Sequence, residues 1–222
     1  MKRVAIVGSG GSGKSTLARR LGRALGLPVV HLDVHYWRPG WKATAETEWA
    51  ARQAELVTGP EWIADGNFGE TLAVRLAPAD TIVFLDLPRR LCIERALRRF
   101  WRDRGRPRPD LPPGCPESLD LDFLRWLWRW PAQSRPRVLA KLEEYRTGRL
   151  VRVLRTPWQV ERFARAIEMA SLNESSAAFG ADRPPPPSGR GSIEGAEWSI
   201  PSSGDVRWTV QPCPPPSSPR SS

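Results

Sequence analysis

Gly8-Ser9-Gly10-Gly11-Ser12-Gly13-Lys14-Ser15-Thr16 contains the pattern G-x-x-x-x-G-K-S, which is typical of a phosphate-binding P-loop. The apolar run 4–7 before it predicts a buried strand. Leucines spaced four residues apart predict a helix after it, and Gly26 predicts the end of that helix. A strand before the loop and a helix after it favour a true P-loop over an unrelated glycine-rich turn.

Each residue type in this loop has a chemical reason. Glycines let successive backbone N–H groups turn toward an anion, and the N-terminus of the next helix adds partial positive charge. Lys14 is predicted to reach the β- and γ-phosphates of a nucleotide, and the Ser15 hydroxyl to bind Mg²⁺. The predicted nucleotide-binding loop comprises Gly8, Ser9, Gly10, Gly11, Ser12, Gly13, Lys14, Ser15 and Thr16.

The length and composition limit the class of protein. The chain has 222 residues and a formal net charge of +10, a balance that suits nucleic acid or phosphorylated substrates. No apolar stretch is long enough to span a membrane. Three cysteines without metal-ligand spacing predict neither a zinc site nor a disulfide framework. We therefore expect a cytoplasmic protein with no membrane partner.

Strands and helices alternate along the chain. Further strands are predicted at 29–33, 62–65, 81–86 and 150–154, with an aromatic-rich loop at 34–41, a helix capped by Thr44 and a closing helix at 157–170. This alternation predicts an α/β fold with a parallel sheet covered on both faces. The domain is expected to span residues 1–170.

An arginine-rich helix is predicted after the fourth strand. Arg95, Arg99 and Arg102 share one face of it at i, i+4 and i+7. The opposite face is predicted to pack through Ile93, Leu97, Phe100 and Trp101. Like charges so close together favour an anion between them, although a solvated basic face has the same pattern.

The segment 103–118 is too rich in proline and glycine for a helix, and we interpret it as part of a mobile basic lid at about 100–118. A helix is predicted to start at Ser118 or Asp120 and to be interrupted by Pro131. The tryptophans between them pack under the lid in one interpretation and stack on bases in another.

Beyond residue 170 the chain is rich in serine, glycine and proline. Residues 171–222 are predicted to form a disordered tail, because they lack the apolar surface needed for a core. We interpret the tail as an extension without a function, although its proline run could bind a partner as polyproline II.

Three acids follow predicted strands, where a P-loop protein holds its metal ion: Asp33, Asp65 and Asp86. Asp65 precedes a glycine, so the backbone there can approach a ligand closely, and we favour Asp65 with Ser15 as metal ligands. Asp33 is predicted to orient or deprotonate an acceptor hydroxyl, the alternative being a loop-capping acid. Asp86 could cap the next helix.

Residues 1–170 resemble the P-loop kinases of the adenylate kinase type. More narrowly, they are similar to bacterial adenylate-kinase-like proteins labelled "DNA topology modulation protein". Besides the P-loop, the resemblance is carried by His31-Leu-Asp33, Trp37-Arg-Pro-Gly-Trp41, Trp62-Ile-Ala-Asp-Gly-Asn67, Asp80-Thr-Ile-Val-Phe-Leu-Asp86 and Arg104-Gly-Arg-Pro-Arg-Pro-Asp110. It implies a three-layer fold with a five-stranded sheet in the order 2-3-1-4-5, a helical substrate-binding insertion and an arginine-bearing lid.

The resemblance also implies residue roles. Arg95 would lie against the base of ATP, and Arg99 would reach its phosphates. Asn67-Phe68 stands where nucleotide kinases have Phe-Pro-Arg, so the arginine that grips an acceptor phosphate is absent, and Arg75 or Arg38 could replace it. The predicted catalytic residues are Lys14, Asp33, Arg95 and Arg99.

Two functions from different classes follow. The first is transfer of the γ-phosphoryl group of MgATP to a small-molecule acceptor, either a nucleotide or a hydroxyl compound. The alternative is an ATP-binding, nucleic-acid-associated regulatory protein that affects DNA topology. A P-loop domain that binds nucleotide without turnover is a third possibility.

Overall fold

The computed structural model describes residues 1–103, 110–116 and 120–181, with side chains described as far as residue 173. The strands are β1 (Arg3–Gly8), β2 (Val29–His31), β3 (Trp37–Arg38), β4 (Lys42–Ala43), β5 (Trp62–Asp65), β6 (Thr81–Leu85) and β7 (Leu150–Leu154). The helices are α1 (Lys14–Leu25), α2 (Leu32–Tyr36), α3 (Glu46–Leu56), α4 (Leu72–Leu76), α5 (Arg89–Asp103), α6 (Leu121–Gln133), α7 (Arg135–Glu144) and α8 (Pro157–Ala181).

Five strands form one parallel sheet in the order β2-β5-β1-β6-β7. If only the strands of this sheet are numbered, the order is 2-3-1-4-5, which confirms the predicted topology. The sheet order changes direction beside β1, so the loop after β1 opens at the point where ligands bind in open α/β sheets. The phosphate-binding motif therefore lies at the carboxyl edge of the central strand.

Helices cover both faces of the sheet. Val4 and Ile6 of β1 pack with residues of α1 and α8, whereas Ala5 and Val7 pack on the other face with residues of α4, α6 and α7. The alternation follows from the two-residue period of a strand. Both faces are apolar, so the strands are continuous hydrophobic runs, and the prediction of a three-layer α/β fold is confirmed.

The region after β2 differs from its prediction. The strand ends at His31, and Asp33 lies in the first turn of α2 instead of at a strand end. The predicted aromatic loop contains α2 and an antiparallel β3–β4 hairpin that turns at Gly40, whose φ is 78°. Thr44 does not cap α3, because its hydroxyl donates to the Tyr36 carbonyl at 2.6 Å.

Two helices continue beyond their predicted ends. Pro131 lies inside α6, where burial of Leu127 and Trp130 offsets the hydrogen bond that proline removes. The prediction that Pro131 interrupts the helix is wrong. Helix α8 runs to Ala181, so helix continues past the predicted boundary at residue 170. The rest of the predicted tail, from 182 to 222, lies outside the described residues.

The N-terminus of α6 follows one of the two predicted alternatives. Asp120 is its N-cap, and the Asp120 carboxylate accepts a hydrogen bond from the Asp122 N–H at 2.9 Å. Of the predicted lid, residues 104–109 and 117–119 lie outside the described part of the chain. Within the described residues, no helix is both long and apolar enough to cross a membrane.

Candidate functional site

The P-loop wraps from β1 to α1 with two glycines in the left-handed region. Gly11 has a φ of 72° and Gly13, the N-cap of α1, a φ of 94°. A Cβ on Gly11 would lie 2.1 Å from the Cys92 carbonyl oxygen, so no larger residue fits beneath α5. The Ser12 hydroxyl closes the loop by donating to the Ser9 carbonyl at 2.7 Å.

Lys14 reaches back across this loop. Its Nζ donates to the Ser9 carbonyl at 2.9 Å. Burial lowers the pKa of Lys14, and the nearby carboxylates of Asp33 and Asp65 act in the opposite direction. The ammonium group is thus held where backbone N–H groups and a helix N-terminus already favour an anion.

Ser15 and Asp65 meet at the base of the loop. Parallel pairing places Ile6 of β1 opposite Asp65 of β5, and the Ser15 hydroxyl donates to Asp65 Oδ2 at 2.8 Å. A hydroxyl and a buried carboxylate side by side are oxygen ligands of the kind that Mg²⁺ takes in P-loop proteins. The two predicted metal ligands therefore lie together, and their chemistry fits the ion.

His31 is a third member of this group that the sequence did not identify by role. Its Nδ1 is hydrogen-bonded to Asp65 Oδ1. Burial lowers the pKa of His31, but the hydrogen bond and charge of Asp65, with the charge of Asp110, outweigh burial and raise it. The register of β2 on β5, which pairs His31 with Asp65, is the signal that could have identified it.

The other two acids have different surroundings. Asp33 lies on the wall of the large cavity beside the P-loop, and its charge acts on Lys14. Asp86 accepts two hydrogen bonds from Arg135, at 2.7 and 2.8 Å, and lies 3.6 Å from Arg155. Asp86 is therefore engaged in holding α7 and the segment after β7 against the end of β6.

Helix α5 brings arginines to the loop. Arg95 Nη1 lies 3.5 Å from the Ser12 carbonyl, and the charge of Arg99 acts on Lys14. Arg102 lies in the same cavity wall, but it forms a bidentate pair with Asp103. The predicted shared face of the three arginines thus borders one cavity.

The apolar face of α5 differs from its prediction. Its buried residues are Cys92 and Ala96, whereas Phe100 borders the cavity and Trp101 is 68% exposed. Small residues are buried because the helix backbone itself packs on the P-loop, as the contact of Cys92 with Gly11 shows. Helix α6 covers the same loop: a Cβ on Gly10 would lie 2.7 Å from Phe123.

A cavity of about 1750 Å³ extends from the P-loop. We call the wall formed by Lys14, Arg95 and Arg99 the phosphate side. A second wall, the aromatic side, consists of Asp33, Trp37, Trp41, Asn67 and Phe68. The volume exceeds the roughly 300–1,000 Å³ typical of one small ligand, so two ligands fit.

Neither arginine suggested as a grip for an acceptor phosphate borders this cavity. Arg75 is fully buried and donates to Gln53 Oε1 and to the Gly66 and Asn67 carbonyls. Arg38 pairs with Glu48 at the surface. The suggested replacement of the missing arginine by Arg75 or Arg38 is wrong.

The tryptophans of α6 divide between two environments. Trp130 is buried and Trp126 packs against the same core cluster, which lies on one face of the sheet. Packing of the tryptophans under the lid stays a prediction, because residues 104–109 and 117–119 of the lid lie outside the described part of the chain. Trp128 is 53% exposed, with the Arg89 guanidinium 4.0 Å from its ring centroid.

The comparisons with known proteins add structural likenesses of low identity. No protein-family model matches the sequence, and a comparison with curated proteins gives no match. Among solved structures, shikimate kinase from Acinetobacter baumannii is 20% identical, covering 78% of this chain and 94% of its own at a TM-score of 0.46.

A gluconokinase from Sinorhizobium meliloti 1021 is 16% identical, covering 82% of this chain and 98% of its own at a TM-score of 0.45. Deoxyadenosine kinase from M. mycoides is 13% identical, covering 79% and 98% at a TM-score of 0.43. Because identities and TM-scores are this low, the fold assignment rests on this chain's own strand order and P-loop.

Proposed function

We propose that the protein is a phosphotransferase that moves the γ-phosphoryl group of MgATP to a small-molecule acceptor. The observation that carries the proposal is the continuity of one cavity from the P-loop to Asp33 and the aromatic side. A nucleotide and a second molecule can lie in it together, which phosphoryl transfer requires and nucleotide binding alone does not.

The donor end supplies positioning and positive charge. The loop backbone and Lys14 hold the β- and γ-phosphates, while Arg95 and Arg99 offset charge on the transferred group. Ser15 and Asp65 would hold Mg²⁺, with His31 fixing the orientation of the Asp65 carboxylate. A Mg²⁺ ion held there would supply charge neutralisation on the phosphate oxygens.

The acceptor end supplies a base. The acceptor hydroxyl oxygen forms a bond to the γ-phosphorus as the bond to the bridging oxygen of ADP breaks, and Asp33 takes the hydroxyl proton. Asp33 suits this role because it borders the cavity and its charge reaches Lys14.

The test is acceptor-dependent ADP formation. The full chain is incubated with MgATP and a panel of nucleotides, nucleosides, sugars and cyclic alcohols, and ADP and phosphorylated product are measured. We expect ADP release to rise with one class of acceptor and to fall at least about 100-fold in Lys14→Ala. Lys42→Ala, an exposed lysine that does not border the cavity, should be unaffected. ADP release that no acceptor stimulates contradicts the proposal.

The variant Asp65→Asn tests the proposed Mg²⁺ site. Loss of the carboxylate charge should raise the Mg²⁺ concentration needed for half-maximal nucleotide binding by about 10- to 100-fold. Binding of a fluorescent nucleotide, titrated with Mg²⁺, measures this without turnover. An unchanged Mg²⁺ requirement would exclude Asp65 from the metal site.

A further inference from the structure

We propose that the phosphoryl acceptor is a neutral, hydroxylated ring compound that packs against the aromatic side of the cavity and donates hydroxyl hydrogen bonds to Asp33 and Asn67. This inference rests on the proposed phosphotransferase function and specifies the chemical class of its acceptor. It is carried by backbone strain, an unpaired polar atom and the distribution of charge in the cavity wall.

Strain is concentrated on the aromatic side. Among the described residues, Trp41 and Phe68 are the two non-glycine residues with positive φ, at 61° and 26°, and both border the cavity. Bulky side chains rarely adopt this backbone conformation, and it persists only where surrounding contacts hold it. Such residues concentrate at ligand sites, because a strained backbone can place a side chain where a relaxed one would not.

Ring contacts and one hydrogen bond hold the two strained residues in place. Phe68 packs on Tyr36 and Trp49, with centroid distances of 4.6 and 4.8 Å. Trp41 packs edge-on against Trp37 at 5.4 Å, and its Nε1 donates to the Pro116 carbonyl at 3.1 Å. The aromatic side is thus a preformed apolar surface, which suits one face of a ring.

An unpaired polar atom lies beside this surface. Asn67 Oδ1 is buried and has no hydrogen-bond partner among the described residues, although the Asn67 carbonyl is bound by Arg75 at 2.6 Å. A buried acceptor left unpaired costs free energy, and because the Asn67 side chain borders the cavity, a change of its rotamer toward a hydroxyl donor would remove that cost. A hydroxyl group both donates and accepts, so it can pair with either atom of this side-chain amide.

The charges in the cavity wall favour a neutral acceptor. The described cations that border the cavity belong to the P-loop, α1 and α5: Lys14, Arg19, Arg20, Arg95, Arg98, Arg99 and Arg102. The aromatic side contributes the carboxylate of Asp33, and Asp110 borders the cavity as well. A phosphate group placed there would be repelled by these carboxylates, whereas a neutral hydroxyl group would not be.

The experiment uses pairs of acceptors that differ by one phosphate. The full chain with MgATP is offered ribose and ribose 5-phosphate, glucose and glucose 6-phosphate, inositol and inositol phosphate, and adenosine and AMP. Product is identified by mass spectrometry. We expect transfer to the neutral member of at least one pair, with kcat/KM at least tenfold above that of its phosphorylated partner.

Variants locate the binding site. With the preferred acceptor, Asn67→Leu and Trp37→Ala should each raise the acceptor KM about tenfold or more and leave the ADP dissociation constant unchanged, which also shows that each variant is folded. Trp128→Ala, at an exposed tryptophan that does not border the cavity, should change neither quantity.

The outcomes separate the two proposals. Transfer only to phosphorylated members, or unchanged acceptor KM in both cavity variants, overturns the neutral-acceptor inference and leaves the phosphotransferase proposal standing. Absence of transfer to either member of every pair, with ADP release independent of the acceptor, overturns both.

Discussion

Arg75 illustrates how a residue's role depends on its surroundings. In the sequence it is one of many arginines and a candidate for gripping an acceptor phosphate. In the fold it is fully buried and donates to Gln53 Oε1 at 2.8 Å and to the Gly66 and Asn67 carbonyls at 3.2 and 2.6 Å. Its guanidinium group donates hydrogen bonds to the two backbone carbonyls that follow Asp65, so Arg75 stabilises this segment without bordering the cavity.

Arg75→Met tests this supporting role. Methionine keeps an apolar stem but leaves three acceptors unpaired, two of them in buried hydrogen bonds, and each unpaired buried group costs about 1–3 kcal/mol. We expect the free energy of unfolding in urea to fall by about 3 kcal/mol. The control is Arg52→Ala, which removes an exposed pair with Glu55 and should cost less than about 1 kcal/mol. Equal losses in the two variants would contradict the buried role.

At the residue scale, the P-loop residues and the pairing of Ser15 with Asp65 were predictable, because motif spacing and strand ends are properties of the sequence. His31 and Asn67 were not predictable as site residues. Their roles depend on strand register and on an unpaired atom, which spacing along the chain does not contain.

Contact between α5 and the P-loop is the main feature at the element scale. A Cβ on Gly11 would lie only 2.1 Å from the Cys92 carbonyl oxygen. This close approach explains why α5 buries Cys92 and Ala96 instead of larger residues. It also places Arg95 beside the Ser12 carbonyl.

Gly11→Ala measures this contact. Alanine at a positive φ costs about 1 kcal/mol, and the clash with a backbone carbonyl adds to it. The matched control is Gly148→Ala, where φ is 71° and nothing lies within 4 Å of the new Cβ. We expect Gly11→Ala to lower the free energy of unfolding further than Gly148→Ala and to weaken nucleotide binding. The same stability loss in both would mean that α5 can move away freely.

A cluster of salt bridges joins α1 to α8. Arg20 binds Glu161 and Glu168, with N–O distances of 2.6 and 2.9 Å. Hydrogen bonds from Arg20 and Arg165 lower the pKa of Glu161 to about 2. A carboxyl whose folded pKa is depressed stabilises the fold above its unfolded pKa, and this contribution is lost as the pH falls toward the folded pKa.

Glu161→Gln should therefore destabilise the protein most near neutral pH. The difference in midpoint temperature from the unaltered protein should shrink as the pH falls from about 5 toward about 2, as measured by thermal unfolding at several pH values. The control is Glu143→Gln, which alters an exposed salt bridge with Arg146, three residues further along the chain. We expect a smaller change in midpoint temperature for this variant. A difference in midpoint temperature that is constant over this pH range would contradict a stabilising role for the Glu161 salt bridges.

Most helices and all five sheet strands were predictable at this scale, because hydrophobic periodicity and turn residues mark them. The boundary errors have local causes. Tertiary packing kept Pro131 within α6, and the carbonyl of Tyr36 took the Thr44 hydroxyl that was expected to cap α3.

The net charge of +10 concerns the whole molecule. Among the described cations that border the cavity, Lys14, Arg95 and Arg99 lie at the P-loop, where nucleotide phosphates would pair with them. We therefore expect duplex DNA to bind at low salt through general electrostatics and to be released by about 0.2 M salt. Fluorescence anisotropy of a labelled duplex, with and without MgATP, measures this. Tight binding that survives such salt would favour the nucleic-acid alternative, and no binding at low salt would exclude it.

The sequence by itself determined a P-loop between a strand and a helix and a parallel sheet, and it singled out Lys14, Ser15 and Asp65, whereas the strand order 2-3-1-4-5 was implied by the resemblance to kinases of the adenylate kinase type. Short-range patterns suffice there, because backbone geometry makes the motif. Only the tertiary structure decided the surface that we propose for the acceptor. Trp41 and the adjacent residues Asn67 and Phe68 lie in two separate segments, and their common surface arises from the packing of α2, α3 and the β3–β4 hairpin, which no local pattern encodes.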